Sequence, residues 1–196
     1  MIKVIIFDVD GVLINGKRFV DTLYKECGIS PKMTKAFFSG PFQDCLLGNA
    51  DLKKELPKYL KQWGWEKGVE EFMNYWFVSE HTINEPLIKY IQQLRNKGMK
   101  CMLATNQESY RVSYIMKEMG FANTFDAFHA SSSLGSKKPN SDFYNSLFTQ
   151  LKDVQKNEVL FWDDTKINVD AAKSFGIHAE LYLSFSDFKK KMEAYL

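Results

Sequence analysis

Few features take this sequence outside the ordinary globular class. Of its 196 residues only three are cysteine, Cys27, Cys45 and Cys101. They form no C-x-x-C pair and their number is odd, which argues against a disulfide framework and for reduced thiols in a cytoplasmic protein. No apolar stretch approaches the roughly 20 residues of a membrane span. The first apolar run, Ile2 to Phe7, is too short for a signal sequence and meets two aspartates at once. Excess charge of one sign is lacking too, the formal net charge being +2 from 26 basic and 24 acidic side chains. The short tracts Lys53-Lys54 and Lys189-Lys190-Lys191 sit in helical context and read as solvated faces. Nucleic-acid binding therefore has no electrostatic footprint. Repeats and low-complexity segments are absent. What is plentiful is apolar: 45% of residues are hydrophobic and 15% aromatic. That suffices for one well-packed domain, or for one carrying a smaller insertion.

Val4-Ile5-Ile6-Phe7 is continuously apolar, as a strand buried on both faces requires. It ends in Asp8-Val9-Asp10-Gly11. From about residue 17 to 80 the pattern turns helical. Phe19, Leu23 and Tyr24 share one face; Leu52, Leu56, Tyr59, Leu60 and Trp63 share another; Val69, Phe72, Met73, Trp76 and Phe77 share a third. Gly28, Ser30-Pro31, Gly40-Pro41, Gly64 and Gly68 break the run. A helical insertion without strands is expected over 15–81, interrupting a core of 1–14 and 82–196. After Pro86 helices and strands alternate: helix 86–97, strand 100–104, helix 108–119, strand 126–130, helix 141–151, strand 158–162, helix 167–175, strand 177–182 and a last amphipathic helix. Such alternation predicts an α/β fold, a Rossmann-like parallel sheet with helices on both faces.

In an open parallel sheet, ligands bind beyond the carboxyl ends of the strands. The first strand ends in Asp8 and Asp10, the second in Thr105 and Asn106, and the fourth in Asp163 and Asp164. Lys137-Lys138-Pro139 follows the third. Parallel strands would bring all of these to one edge. Several carboxylates in one crevice repel one another, and burying them unpaired is costly. A hard divalent cation relieves this, and magnesium suits a site of few carboxylates, waters and substrate phosphate. A lysine and a hydroxyl at the same edge would bind phosphate oxygens, and the amides beside Gly11 would add hydrogen bonds. One carboxylate can then attack phosphorus, while a second two residues on protonates the leaving oxygen and later activates water.

These residues also carry a family resemblance. Phe7-Asp8-Val9-Asp10-Gly11-Val12-Leu13 resembles the first motif of haloacid dehalogenase-type phosphatases, and Ala104-Thr105-Asn106 the second. Lys138-Pro139 resembles the third and Phe161-Trp162-Asp163-Asp164-Thr165 the fourth. All four stand in order, each at an expected strand end. The helical segment 15–81 resembles the cap domain of that superfamily. The resemblance implies a magnesium-dependent phosphatase of small phosphorylated metabolites. Asp8 is then nucleophile and metal ligand, and Asp10 the general acid/base, its carbonyl on the metal. Thr105 is assigned to the phosphoryl group with Asn106 helping nearby and Gly11 supplying amides, and Lys138 stabilises both Asp8 and phosphate. Asp164 is the main ligand of the fourth motif, with Asp163 ligating directly or through water. Related chains often carry an acid where this one has Asn168.

Plainer readings stand beside these. Thr105-Asn106 or Asp163-Asp164 would serve as helix caps. Lys137 reads as solvated, and so do Lys17 and Arg18. His81, His129 and His178 lack ligand spacing, Cys45 reads as packing, and Trp63, Trp65, Trp76 and Trp162 as core. Three other functions compete. A sugar-phosphate mutase of the beta-phosphoglucomutase type would share this machinery, but such members place a histidine where this chain has Lys17-Arg18-Phe19-Val20. A dehalogenase would not need Asp10. A non-enzymatic metal- or phosphate-binding regulator would lack an essential residue, and none is missing. The order of the motifs excludes a signalling receiver domain.

Overall fold

A computed structural model of the chain describes residues 1–16 and 18–196. Lys17 therefore lies outside the described residues. Five strands, β1 (Val4–Phe7), β2 (Lys100–Thr105), β3 (Ala127–Ala130), β4 (Val159–Asp163) and β5 (His178–Leu181), form one sheet in the order β3-β2-β1-β4-β5. Every pairing is parallel, and Phe7 lies level with both Leu103 and Trp162. The strand ends that carry Asp8, Thr105 and Asp163 thus share one edge, with β1 in the middle.

Alternate residues of β1 face opposite layers. Among the described residues, β1 is followed by α1 (Phe19–Cys27), α2 (Pro31–Phe38), α3 (Pro41–Leu46), α4 (Leu52–Glu55), α5 (Pro57–Leu60) and α6 (Val69–Ser79). The remaining helices are α7 (Glu85–Asn96), α8 (Ser109–Lys117), α9 (Ser131–Leu134), α10 (Ser141–Thr149), α11 (Lys166–Phe175) and α12 (Phe185–Met192). Ile5 and Phe7 pack with Leu87, Ile91, Ile115 and Phe188 on one side of the sheet. Val4 and Ile6 pack with Phe143, Leu147, Val169 and Ala172 on the other. Each such side chain, fully removed from water, stabilises the fold by roughly 1.5–3 kcal/mol. The two-sided burial explains why β1 is apolar without alternation.

Helices α1 to α6 have a separate apolar centre, where Phe19 stacks on Trp76 with ring centroids 5.0 Å apart and Phe37 meets Trp63 at 5.6 Å. No strand occurs among the described residues of this segment. The chain leaves and re-enters the sheet layer side by side. Asn15 N–H donates to Thr82 (2.8 Å), and Asn84 N–H donates to Leu13 (2.8 Å). Asn84 also donates to the Val12 carbonyl and the Tyr182 hydroxyl, fixing this double connection from below. No described helix is long and apolar enough to cross a membrane. The three cysteines are free.

Candidate active site

A crevice of about 450 Å³ opens at the carboxyl edge of the sheet, lined by residues of all four segments picked out in the sequence, among them Asp8, Asp10, Thr105, Lys138 and Asp164. Residues more than 150 positions apart therefore converge, as the parallel topology requires. Asp8 directly follows β1 and is almost buried. Its Oδ1 accepts from the Val9 amide (2.7 Å) and from Lys138 Nζ (2.8 Å). Among the described residues, no hydrogen bond holds Oδ2.

Lys138 Nζ is buried and donates to Asp8, to Asp163 Oδ2 (2.6 Å) and to the Ala104 carbonyl (3.1 Å). All three of its protons are committed. Burial alone would lower this ammonium, but its ion pairs with Asp8 and Asp163 hold it above its ordinary value. It is thus a fixed charge, and any phosphate oxygen would share protons already in use. Asn106 accounts for its placement. The side-chain amide donates to the Lys138 carbonyl (3.0 Å) while its oxygen accepts from the Lys138 amide (2.9 Å). Asn106, expected to help at the phosphoryl group, lines the crevice and clamps the backbone of Lys138.

The acidic groups lie close together. Carboxylate oxygens of Asp8, Asp163 and Asp164 all fall within 4.8 Å of one another. Burial pushes the Asp8 carboxyl up to about 7, against the pull of Lys138. Asp10 is exposed to the crevice but enclosed by protein, and desolvation raises it, opposed chiefly by Arg111. Desolvation raises Asp164 as well. Crowded carboxylates with raised values are what a divalent cation would relieve, so the donor set fits a hard cation such as magnesium.

Asp163 and Asp164 differ sharply. Asp163 is fully buried, and its oxygens accept from Lys138, from the Thr165 amide (2.8 Å) and from Asn168 Nδ2 (3.0 and 3.1 Å). Asp164 is exposed to the crevice, and among the described residues only the Thr165 hydroxyl donates to it (3.1 Å). Asp164 is therefore the freer oxygen donor, and Asn168 spends its amide on Asp163. Gly11 has φ +78°, and a Cβ there would stand 2.0 Å from Asp164 Oδ2. The glycine makes room for that carboxylate.

Some plainer expectations change, while those for Cys45 and Arg18 hold. Thr105-Asn106 does not cap α8; Glu108 does, its carboxylate accepting from the Tyr110 and Arg111 amides. A carboxylate suits the positive end of the helix better than an amide. Lys137 is not simply solvated, because it donates to Gln43 on α3. Cys45 is buried and its thiol is pushed up to about 11, so it stays protonated and serves packing. His81 shares a hydrogen bond with the Tyr114 hydroxyl (2.8 Å). Arg18 is exposed and pairs with Asp21 (3.2 Å), at the rim of the crevice.

Sequence reasoning missed three polar residues. Gln107 donates its side-chain amide to Asp10 Oδ2. Arg111, with its side chain 2% exposed, donates to the Phe77 carbonyl (3.0 Å) and faces Glu80 at 3.6 Å. Glu80 directly follows α6, lines the crevice, and accepts from the Phe19 amide and Trp76 Nε1. Gln107 had a signal: it continues the Thr105-Asn106 strand end. Glu80 and Arg111 had none, since charges on amphipathic helices are usually solvated.

Comparisons with known proteins bear on the fold and the family. Among curated proteins, none matches the chain significantly in sequence. In structure it is similar to a HAD-like family hydrolase from Porphyromonas gingivalis, with TM-score 0.83 at 23% identity over 100% of this chain and 98% of that one. It is also similar to a HAD family enzyme of Bacteroides thetaiotaomicron in complex with magnesium and inorganic phosphate (TM-score 0.80, 18% identity, 96% and 99% covered). A more distant likeness is the L-2-haloacid dehalogenase of Xanthobacter autotrophicus (TM-score 0.65, 21% identity, 99% and 83% covered). The family model of haloacid dehalogenase-like hydrolases matches residues 2–176. With nearly the whole chain inside that match, and its motif residues gathered at one sheet edge, the protein belongs to the haloacid dehalogenase-like hydrolases.

Proposed function

We propose that this hydrolase is a magnesium-dependent phosphatase of small phosphomonoesters that works through a phosphorylated Asp8. One observation carries the reading above the others: Asp8 presents an uncommitted Oδ2 to the crevice while a second carboxylate, Asp10, is held by Gln107 at the same crevice. A nucleophile alone suits many displacements. A nucleophile with a positioned proton donor suits departure of an alkoxide.

In the proposed cycle Asp8 Oδ2 forms a bond to phosphorus and the ester P–O bond breaks. Asp10 gives its proton to the departing oxygen. Asp10, now a carboxylate, takes a proton from water, whose oxygen attacks phosphorus and releases Asp8 and phosphate. Thr105, buried at the end of β2, orients the phosphoryl oxygens, whereas the Gly11 and Val12 amides, expected to help, already donate to the Ile14 and Val9 carbonyls (3.0 and 3.3 Å). Lys138 favours the ionised form of Asp8 against the desolvation that raises it, and supplies positive charge as negative charge builds on those oxygens. Asp8, the Asp10 carbonyl and Asp164 would hold magnesium, which when bound draws electron density from the phosphoryl group. Asp163 acts mainly through Lys138.

Residues 15–81 form the cap in this reading, and 1–14 with 82–196 the catalytic core. Cap closure would keep water out until the acyl phosphate has formed. The crevice volume suits a small phosphorylated metabolite. The free thiols support a cytosolic setting, which cell fractionation would check. Dehalogenation is the second reading, drawn from the Xanthobacter likeness. A halide leaves without a proton and gives Asp10 no task.

The test is incubation with p-nitrophenyl phosphate, a metabolite phosphate panel and 2-chloropropionate, with magnesium or with EDTA. Phosphate release abolished by EDTA supports the proposal. Chloride release without phosphate release would replace it with the dehalogenase.

A further inference from the structure

The Asp10 carboxylate is held by a residue outside the four motifs. Gln107 is buried, and its Nε2 donates to Asp10 Oδ2. Its backbone is fixed as well. The Gln107 carbonyl accepts from Ser131 Oγ and from the Ser132 amide, both at 3.4 Å, on α9. The next residue, Glu108, caps α8 through two amides. One turn further on, Arg111 donates to the Phe77 carbonyl of α6. Gln107 therefore projects from a segment pinned to α8, α9 and α6. It has little freedom to follow Asp10, so Asp10 must conform to it.

We propose that Gln107 is a positioning residue for the general acid/base, fixing the Asp10 side chain so that its other oxygen faces the leaving group. The inference rests on the phosphatase reading. An amide N–H donates to Oδ2 whether or not the carboxyl is protonated, so the proton belongs on Oδ1. Oδ1 is then the atom that delivers it to the ester oxygen as the P–O bond breaks. Without the amide, Asp10 turns about its side-chain torsions, and the productive orientation becomes one of several.

The experiment compares substrates that differ in their need for a proton. For each substrate kcat/KM reports the steps through departure of the alcohol, before water attacks. p-Nitrophenolate leaves as a stable anion; an alkoxide does not. Q107M keeps the shape of the side chain and removes the donor, and Q107L serves if Q107M does not fold. General acid–base catalysis contributes roughly 10²–10⁴-fold. Loss of positioning is therefore expected to lower kcat/KM for a hydrolysed alkyl phosphate about tenfold or more beyond its effect on p-nitrophenyl phosphate. D10N should show the same bias more strongly. Beryllofluoride with magnesium, a phosphoryl mimic for Asp8, should raise the melting temperature of Q107M as much as that of wild type. Equal losses on both substrates, or a lost beryllofluoride response, would overturn the inference in favour of general support of the site. A wild-type protein that hydrolyses no phosphate ester would instead overturn the phosphatase reading, and the inference with it.

Discussion

Replacing Gly11 by alanine separates the integrity of the fold from that of the cation site. The new Cβ would lie 2.0 Å from Asp164 Oδ2, 2.5 Å from its Cγ and 3.2 Å from its Cβ. The nearest atoms are the end of a side chain facing an open crevice, so Asp164 yields rather than the backbone. Holding an alanine at φ +78° costs roughly 1–2 kcal/mol. For a chain of this length that lowers the melting temperature by about 2–8 °C. The larger effect is expected on magnesium. At a concentration 100 times the wild-type Kd, bound magnesium stabilises the wild-type protein by about 2.7 kcal/mol. If eviction of Asp164 weakens binding about 100-fold, only about 0.4 kcal/mol of that remains. Thermal melting of G11A with and without magnesium reads both quantities. A variant that folds and keeps the full magnesium increment would refute the claim that Gly11 exists to make room for Asp164.

Further predictions follow from the same geometry. Asp8→Asn should abolish phosphate release while leaving the melting temperature within a few degrees; residual turnover near wild type would remove the nucleophile. Arg111→Met should destabilise the fold by about 3–5 kcal/mol, because the carboxylates of Asp10, Glu80 and Glu108 lose their buried counter-charge. A urea midpoint matching wild type would contradict this. Asn168→Ala frees Asp163 and should lower magnesium affinity or turnover about 10–100-fold, read by titration and by kcat. In the metal-free protein, Asp8, Asp10, Asp164, Glu80 and Glu108 all have raised values. The folded state then binds more protons than the unfolded state between about pH 4 and 7, so stability should rise as pH falls through that window. Saturating magnesium should flatten the slope, and a metal-free protein that loses stability from pH 7.5 to 5.5 would contradict the assignment.

Much of the fold was legible because its signals are local. Val4 to Phe7 is apolar at every position because both faces of β1 are covered, and Gly28 and Gly176 close their helices in the left-handed conformation. The convergence of Asp8, Lys138 and the acidic pair Asp163-Asp164 could be read because parallel strands must end at one edge. What could not be read depends on side-chain contacts across the fold. Asn106 looks like a phosphate contact or a cap until its amide is seen against the Lys138 backbone. Asp163 and Asp164 are adjacent and identical in type, yet one is saturated by Lys138, Thr165 and Asn168 while the other faces the crevice. Arg111 sits between the half-buried Tyr110 and Val112, and its contact with the Phe77 carbonyl of α6 comes from a segment far away in sequence.

The most direct test of the central claim is chemical capture of the phosphorylated carboxylate. Asp10→Asn, turned over with a good phosphoryl donor and magnesium, should accumulate it, since the water-activating group is gone. Rapid denaturation, borohydride reduction and peptide mass mapping would convert an aspartyl phosphate to homoserine where it forms. Homoserine at position 8, absent when EDTA is present, is the expected result. Homoserine at position 163 or 164, or at no aspartate while phosphate is released, would contradict the account.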